Sequence, residues 1–359
     1  ADCGRACLPR ESPHGSLTPF APMKAMLLEA LAPLADNPAP LRLVELPDPE
    51  PGPGEVRLRV RTCGVCHTEL DEIEGRTPPP RLPVIPGHEV VGVVDALGPG
   101  ASRHRRGDRL GVGWIWRSTG GAQENLDAAF TATGRDVDGG YAELMVVPEN
   151  YAFPVPAAFD DVTAAPLLCA GAIGYRALRL SGIGDGDTLG LSGFGGSAHL
   201  VLALARHLLP RSKVYVFARD ADVRDFARER GADWAGDTTA RAPTPCAAII
   251  DTTPAWKPVV EALANLAPGG RLVINAIRKE ARDQDALLGL SYHEHLWLER
   301  EIKTVANITA ADIAGFLPIA ARIPLRPAVT TYPLAAANTA LVELRAGKVR
   351  GAKVLLVDG

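Results

Sequence analysis

Three short segments bring together side chains able to bind a metal: CGVCHTE (63–69), PGHE (86–89) and a lone cysteine, Cys169, inside APLLCAGA. Taken by itself, CGVCH suits a c-type haem, a redox dithiol, half of a zinc knuckle, or the ligand loop of a catalytic metal. The knuckle fails because the chain has no second C-x-x-C. The haem reading wants a second axial ligand, and methionine is scarce, with only three in all. A catalytic zinc takes about three protein ligands and keeps one position open, and two thiolates with one imidazole fit that need. Each residue also has an ordinary reading: Cys169 as a small buried hydrophobe, His88 as a loop residue beside a glycine.

A second chemistry is phosphate recognition. GFGGSA (193–198) has the form G-x-G-x-x-G/A, between the strand-like TLGLS and the helix-like SAHLVLALARHL. Gly193 permits the tight turn, and Phe194 is the free position. Gly195 lets the backbone approach a pyrophosphate, Gly196 and Ser197 lead into the helix, and Ala198 keeps that helix close to its strand. A tight turn with no ligand is the plainer alternative, and the strand–turn–helix setting favours the dinucleotide. A carboxylate about 20 residues on would hold the ribose 2′-hydroxyl of NAD. Here VYVFA (214–218) runs into Arg219, which suits a 2′-phosphate and favours NADP(H) over NAD(H). Asp220, one residue further, keeps the other choice open.

These groups need two kinds of scaffold. Between residues 40 and 150 the chain has short valine-rich runs broken by Gly and Pro, among them EVRLRV (55–60), EVVGVVDAL (89–97), DRLGVGW (108–114) and YAELMVV (141–147), which predict a mostly β domain. Beyond about residue 170, strands alternate with helical segments, the pattern of a parallel α/β sheet. From about 308 a helical stretch and the final KVLLV (353–357) return to the style of residues 40–150, so the chain is expected to rejoin its first domain. A length of 359 residues suits two domains. With 38 basic and 42 acidic side chains and no basic block, nucleic acid is not an expected partner. No apolar run approaches the ~20 residues that span a bilayer, so no membrane association is expected. Six scattered cysteines favour a reducing cytoplasm. Residues 1–22 lack the apolar core of a secretory signal and are read as a tail of no assigned role.

Together these features resemble the zinc-containing medium-chain alcohol dehydrogenases. The resemblance rests on GVCHTEL (64–70), PVIPGHEVVGVVDALGPG (83–100), GDRLGVGW (107–114), DGGYAE (138–143), AAPLLCAGAIGYRAL (164–178) and SGFGGSAH (192–199), and runs from about Met23 to the C-terminus. It implies an α/β architecture. A GroES-like, mostly-β catalytic domain (23–170 and 308–359) would join a Rossmann domain with a doubly wound parallel sheet (171–307). It implies one catalytic zinc on Cys66, His88 and Cys169, with Glu89 as a mobile carboxylate near the metal and Cys63 outside the ligand set. The zinc would polarise the oxygen of a primary alcohol or aldehyde. Thr68 would bond that oxygen and pass its proton on, while hydride moves to or from the nicotinamide. His67 would lie near the cofactor phosphates, and Glu69 would orient His88 where the family usually has Asp. Trp114 would line the substrate pocket, and Thr77, where some relatives carry a bulky aromatic, would leave room in it. A homo-oligomer, dimer or tetramer, is also implied.

The chain departs from the family in three places. The four cysteines of a structural zinc are missing: 114–134 reads WIWRSTGGAQENLDAAFTATG, with Asp127 in place of the last of them, so no structural zinc is expected. The relay histidine five residues after Cys66 is Asp71, whose unperturbed pKa of about 3.9 against about 6.5 would change the pH profile of any relay. The arginine that usually meets the phosphates appears as Ala352, with Arg350 or Lys353 as possible substitutes. A zinc-independent quinone or enoyl reductase on the same fold, and a non-catalytic dinucleotide-binding protein, are the competing readings.

Overall fold

The computed structural model describes residues 22–323, 325, 327–347 and 351–357, so all but the last residue of the 1–22 tail, and Arg350, lie outside the described residues. No helix among them is long and apolar enough to cross a membrane.

The strand Glu55–Val65 organises the first half of the molecule. Its alternate residues Val56, Leu58, Val60 and Thr62 are buried, as a strand with one face on a core requires. Its last three residues, Cys63–Gly64–Val65, are buried without alternation, and there the strand runs into the interior. It lies in a seven-stranded sheet that also contains Val90–Leu97, Arg109–Val112, Leu144–Pro148 and Phe153–Pro154. On its other side Glu55–Val65 pairs antiparallel with the C-terminal strand Ala352–Leu356, which pairs in turn with Val329–Pro333. The end of the chain thus closes the sheet that its first hundred residues began. Register places the chemistry: Cys63 stands opposite Val90, so His88 and Glu89 arrive beside Gly64 and Cys66.

The second sheet has six strands, all parallel: Trp234–Gly236, Lys213–Phe217, Thr188–Ser192, Cys246–Asp251, Leu266–Ile274 and Glu301–Thr304, in that spatial order. Numbered along the chain this is 3-2-1-4-5-6, the doubly wound order whose crossovers reverse beside the first strand. The GFGG turn leaves the end of that strand, where a dinucleotide binds in such sheets. The sheet forms here because the apolar runs of 189–191, 214–217 and 248–250 are buried on both faces, covered by helices such as Ala198–Leu208. The α/β architecture, a GroES-like part and a Rossmann part, is as the sequence predicts.

Candidate metal centre and cofactor cleft

CGVCH is the seam between a strand and a helix. The strand ends at Val65, Cys66 caps the helix His67–Ile73, and the backbone N–H of Thr68 donates to Cys66 Sγ over 3.5 Å. Cys63 belongs to the strand: it is wholly buried in the core, and burial pushes its thiol well up. His67 is the first residue of the helix and is exposed. Thr68 Oγ1 lies 3.6 Å from Cys66 Sγ.

Glu69 is wholly buried and works twice. Its Oε2 accepts from the backbone N–H of Cys66 at 2.9 Å, closing a capping box, and its Oε1 lies 2.5 Å from His88 Nδ1. That contact fixes the imidazole so that Nε2 points the other way, and Nε2 is buried with no hydrogen-bond partner. A buried polar atom left unpaired is costly, and one grouped with two sulfurs and a carboxylate is placed where a metal ion would satisfy it. Cys169 comes from the far side. It sits between the short helix Ala165–Leu168 and the helix Ala170–Ser181, with backbone angles of φ −120° and ψ −78° that belong to neither. Its Sγ lies 3.9 Å from Cys66 Sγ. Ligand atoms of Cys66, His88, Glu89 and Cys169 all fall within 4.8 Å of one another.

Glu89 reaches this cluster because residue 64 is glycine: a Cβ there would stand 1.8 Å from Glu89 Oε2. Burial, then the charge of Cys66, pushes the Glu89 carboxyl well above its ordinary value. The hydrogen bond from Cys169, helped by His88, pulls the Cys66 thiol well down despite burial, and the same contact pushes Cys169 well up. For His88 burial works downward, but the neighbouring Glu69 and Cys66 outweigh it and hold the imidazole well above its usual value. Two sulfurs sharing protons with an imidazole and a carboxyl form a set that a divalent cation would neutralise. The donors fit zinc, with soft thiolates and one imidazole and a carboxylate at hand.

Trp114 closes one side. Its ring centroid is 6.3 Å from that of His88 and 5.9 Å from Phe130, the Arg135 guanidinium lies 5.4 Å over its face, and its Nε1 donates to Glu72 Oε1 at 3.3 Å. Thr77 Oγ1 is buried without a partner. Asp71 is buried, and its Oδ1 accepts from Arg76 (2.5 Å) and from Arg278 Nη1 (2.6 Å), which comes from the loop after the strand Leu266–Ile274. Its Oδ2 has no partner.

On the cofactor side, Gly193 adopts φ +79° and a Cβ on Gly195 or Gly196 would meet nothing within 4 Å, so the turn faces open space. Phe194 is buried, Ser197 precedes the helix Ala198–Leu208, and buried Ala198 is its first residue. Arg219 is exposed and paired with Asp220 at 3.2 Å. A cleft of about 560 Å³ is lined by His67 together with Arg76, Arg278, Lys279, Arg282 and Arg345. Lys353 is no substitute for the missing phosphate arginine. It is buried and bound to Tyr332 Oη (2.6 Å) and Glu343 (2.8 Å).

Sequence reading missed Glu72, Glu124 and Arg278. The signal for Glu72 was present: it follows Glu69 by three residues, one helical turn on the same face. Glu124 and Arg278 had none, because the partners that matter, Tyr151 and Ala310 for Glu124 and Asp71 for Arg278, lie in other parts of the chain.

Residues 52–157 match the model of the alcohol dehydrogenase GroES-like domain. The chain is 40% identical over 329 residues to a probable alcohol dehydrogenase, AdhA, of Mycobacterium tuberculosis, covering 89% of this chain and 93% of the relative. It belongs to the zinc-type medium-chain alcohol dehydrogenases. The dehydrogenase is also 32% identical to an alcohol dehydrogenase of Geobacillus stearothermophilus, over 88% of this chain and 95% of that one. Its fold superposes on a cobalt- and zinc-bound thermostable alcohol dehydrogenase from Pyrobaculum aerophilum with a TM-score of 0.78 at 26% identity, covering 93% of this chain and 99% of that structure. Its reaction class is alcohol/aldehyde oxidoreduction.

Proposed function

We propose that the enzyme interconverts primary alcohols and aldehydes with one zinc ion per chain and NADP(H) as hydride carrier. The observation that carries this reading is His88 Nε2, buried and unpartnered, converging with two cysteine sulfurs 3.9 Å apart. Cys66, His88 and Cys169 would hold the metal, and Glu89 would be the carboxylate that takes a metal position when substrate is away. Bound there, zinc supplies Lewis-acid polarisation of the substrate oxygen. The chain's own residues do the rest. Thr68 hydrogen-bonds the substrate oxygen and carries its proton outward. Glu69 locks the tautomer and plane of His88. Trp114 walls the pocket, and Thr77 leaves space in it.

The cofactor reading is supported by the turn at 193–197 facing open space at the head of a helix. Arg219 would meet the 2′-phosphate, and His67 would face the cleft beside the pyrophosphate. We read the 114–134 lobe as free of structural zinc. Glu124 ties it instead, accepting from Gly120 N, Tyr151 Oη and Ala310 N at 2.7–2.9 Å. A second copy of the chain is the partner this reading carries for the sheet edge. The strand Glu301–Thr304 is exposed along its whole length, and Leu288, Trp297 and Leu298 in the segment that precedes it are exposed as well.

Metal analysis of the purified chain tests the reading. We expect about one zinc per chain, and alcohol-linked NADPH formation abolished by removal of the metal and by Cys66→Ser. A metal-free chain with full turnover rejects it.

A further inference from the structure

We propose that Glu72 determines specificity by hydrogen-bonding a second polar group on the substrate, so that the preferred class is a primary alcohol or aldehyde carrying another hydroxyl. This rests on the zinc dehydrogenase reading and goes further into the same site.

Glu72 lies on the helix His67–Ile73, one turn past Glu69, and is 2% exposed. Sharing that face turns it toward the metal ligands, and it feels the charge of both Glu69 and His88. Its Oε1 accepts a long hydrogen bond of 3.3 Å from Trp114 Nε1, whose ring neighbours His88. Among the described residues, Oε2 makes no hydrogen bond. Arg135 acts on this carboxyl by its charge, which works against the upward push of burial, but gives it no hydrogen bond: its guanidinium stacks over the Trp114 ring and bonds Asp136 through Nε at 2.8 Å and Nη2 at 3.0 Å.

Anchoring Trp114 alone would not require a carboxyl group. A buried carboxyl with one weak bond is expensive, and structures keep such groups where a ligand completes them. Burial, then the charge of Glu69, lifts this carboxyl well above the ordinary range, so it tends toward the neutral form, which donates as well as accepts. A substrate hydroxyl has the same dual capacity, and a methylene in its place leaves the carboxyl unpaired. Sites of that kind discriminate far more strongly than apolar pockets do.

The test is kcat/KM of the zinc-loaded, full-length chain with NADP⁺ for 1-butanol and for 1,2-, 1,3- and 1,4-butanediol. All four carry the same primary hydroxyl, and the second one moves outward along the chain. We expect at least one diol to exceed 1-butanol by about tenfold or more. Glu72→Leu and Glu72→Met should bring the ratio of kcat/KM for that diol to kcat/KM for 1-butanol down to about one, whatever they do to either rate alone, and Glu72→Gln, which still hydrogen-bonds, should keep most of the preference. Calorimetric titration of the same alcohols into the cofactor complex reads the ratio as affinity. Turnover of 1-butanol with a diol ratio that Glu72→Leu and Glu72→Met leave unchanged overturns the assignment and spares the dehydrogenase reading. Absence of any turnover overturns both.

Discussion

Glu69 Oε1 lies 2.5 Å from His88 Nδ1, and the second oxygen of the same carboxylate caps the N–H of Cys66. One side chain therefore orients two candidate ligands that stand 22 residues apart in the sequence. Losing it frees the imidazole to rotate and uncaps the helix that carries Cys66. Glu69→Ala should weaken zinc binding by about 10–100-fold, measured by competition with a chromogenic chelator. Glu69→Gln, which keeps one acceptor oxygen, should fall between. Unchanged affinity in both would remove Glu69 from the metal site.

Asp71 stands where the family relays protons, yet its Oδ1 is occupied by Arg76 and Arg278. The contact with Arg278 joins the metal-side helix to the loop after the fifth strand of the parallel sheet, so Asp71 has the geometry of a clasp between the two halves. Neutralising it should show in stability before it shows in chemistry. We expect Asp71→Asn to cost about 1–3 kcal/mol in urea denaturation, since hydrogen bonds to charged groups are worth that much. The pH midpoints of kcat should stay in place. A relay would give the opposite result, with midpoints displaced and stability kept.

How far the sequence can be read depends on how far apart partners lie. Cys66, His88, Glu89 and Cys169 are legible because each sits in a short segment with its own signature; strand register brings the first two segments together, and Cys169 joins them from the break between two helices. The parallel sheet is legible from alternating strands and helices. ENL (124–126) misleads: it reads as the remnant of a metal lobe whose cysteines are gone. The structure uses Glu124 to bind the start of the helix Ala310–Arg322, and Asn125 to bind Asn307 O (3.2 Å) and Arg176 (3.2 Å). Local pattern cannot show a partner 186 residues away. Arg278 is hidden for the same reason, since nothing around it in sequence points to Asp71.

The elevated Glu72 carboxyl makes stability depend on pH in a definite direction. A carboxyl whose folded pKa exceeds its unfolded value near 4.5 binds its proton more tightly in the folded state. Its favourable contribution is complete below the unfolded value and is lost as pH rises through the folded value. Glu72→Gln has no proton to lose. Its melting temperature relative to the parent chain should therefore climb as pH rises from the unfolded value through neutrality, read by scanning calorimetry of the metal-free proteins. A constant difference across that range would mean that Glu72 is ionised at an ordinary pKa.

Arg219 and Asp220 pair with each other at 3.2 Å at the end of the second parallel strand, and the two side chains favour opposite cofactors. The guanidinium suits the 2′-phosphate of NADP(H), and the carboxylate suits the free 2′-hydroxyl of NAD(H). Arg219 is the more exposed partner, with 85% of its side chain accessible, and the contact with Asp220 is easily broken in water. A 2′-phosphate carries more charge than a carboxylate and should draw the guanidinium away. Arg219→Ala should then raise KM for NADPH by about 10–100-fold, the equivalent of one charge-assisted hydrogen bond, with NADH affected less than twofold. Asp220→Ala should act in the opposite sense, releasing Arg219 and sharpening the preference for NADPH. Steady-state kinetics of both variants with both cofactors decides the matter. If Asp220→Ala mainly damages NADH turnover while Arg219→Ala changes nothing, the carboxylate is the selector and the enzyme uses NAD(H).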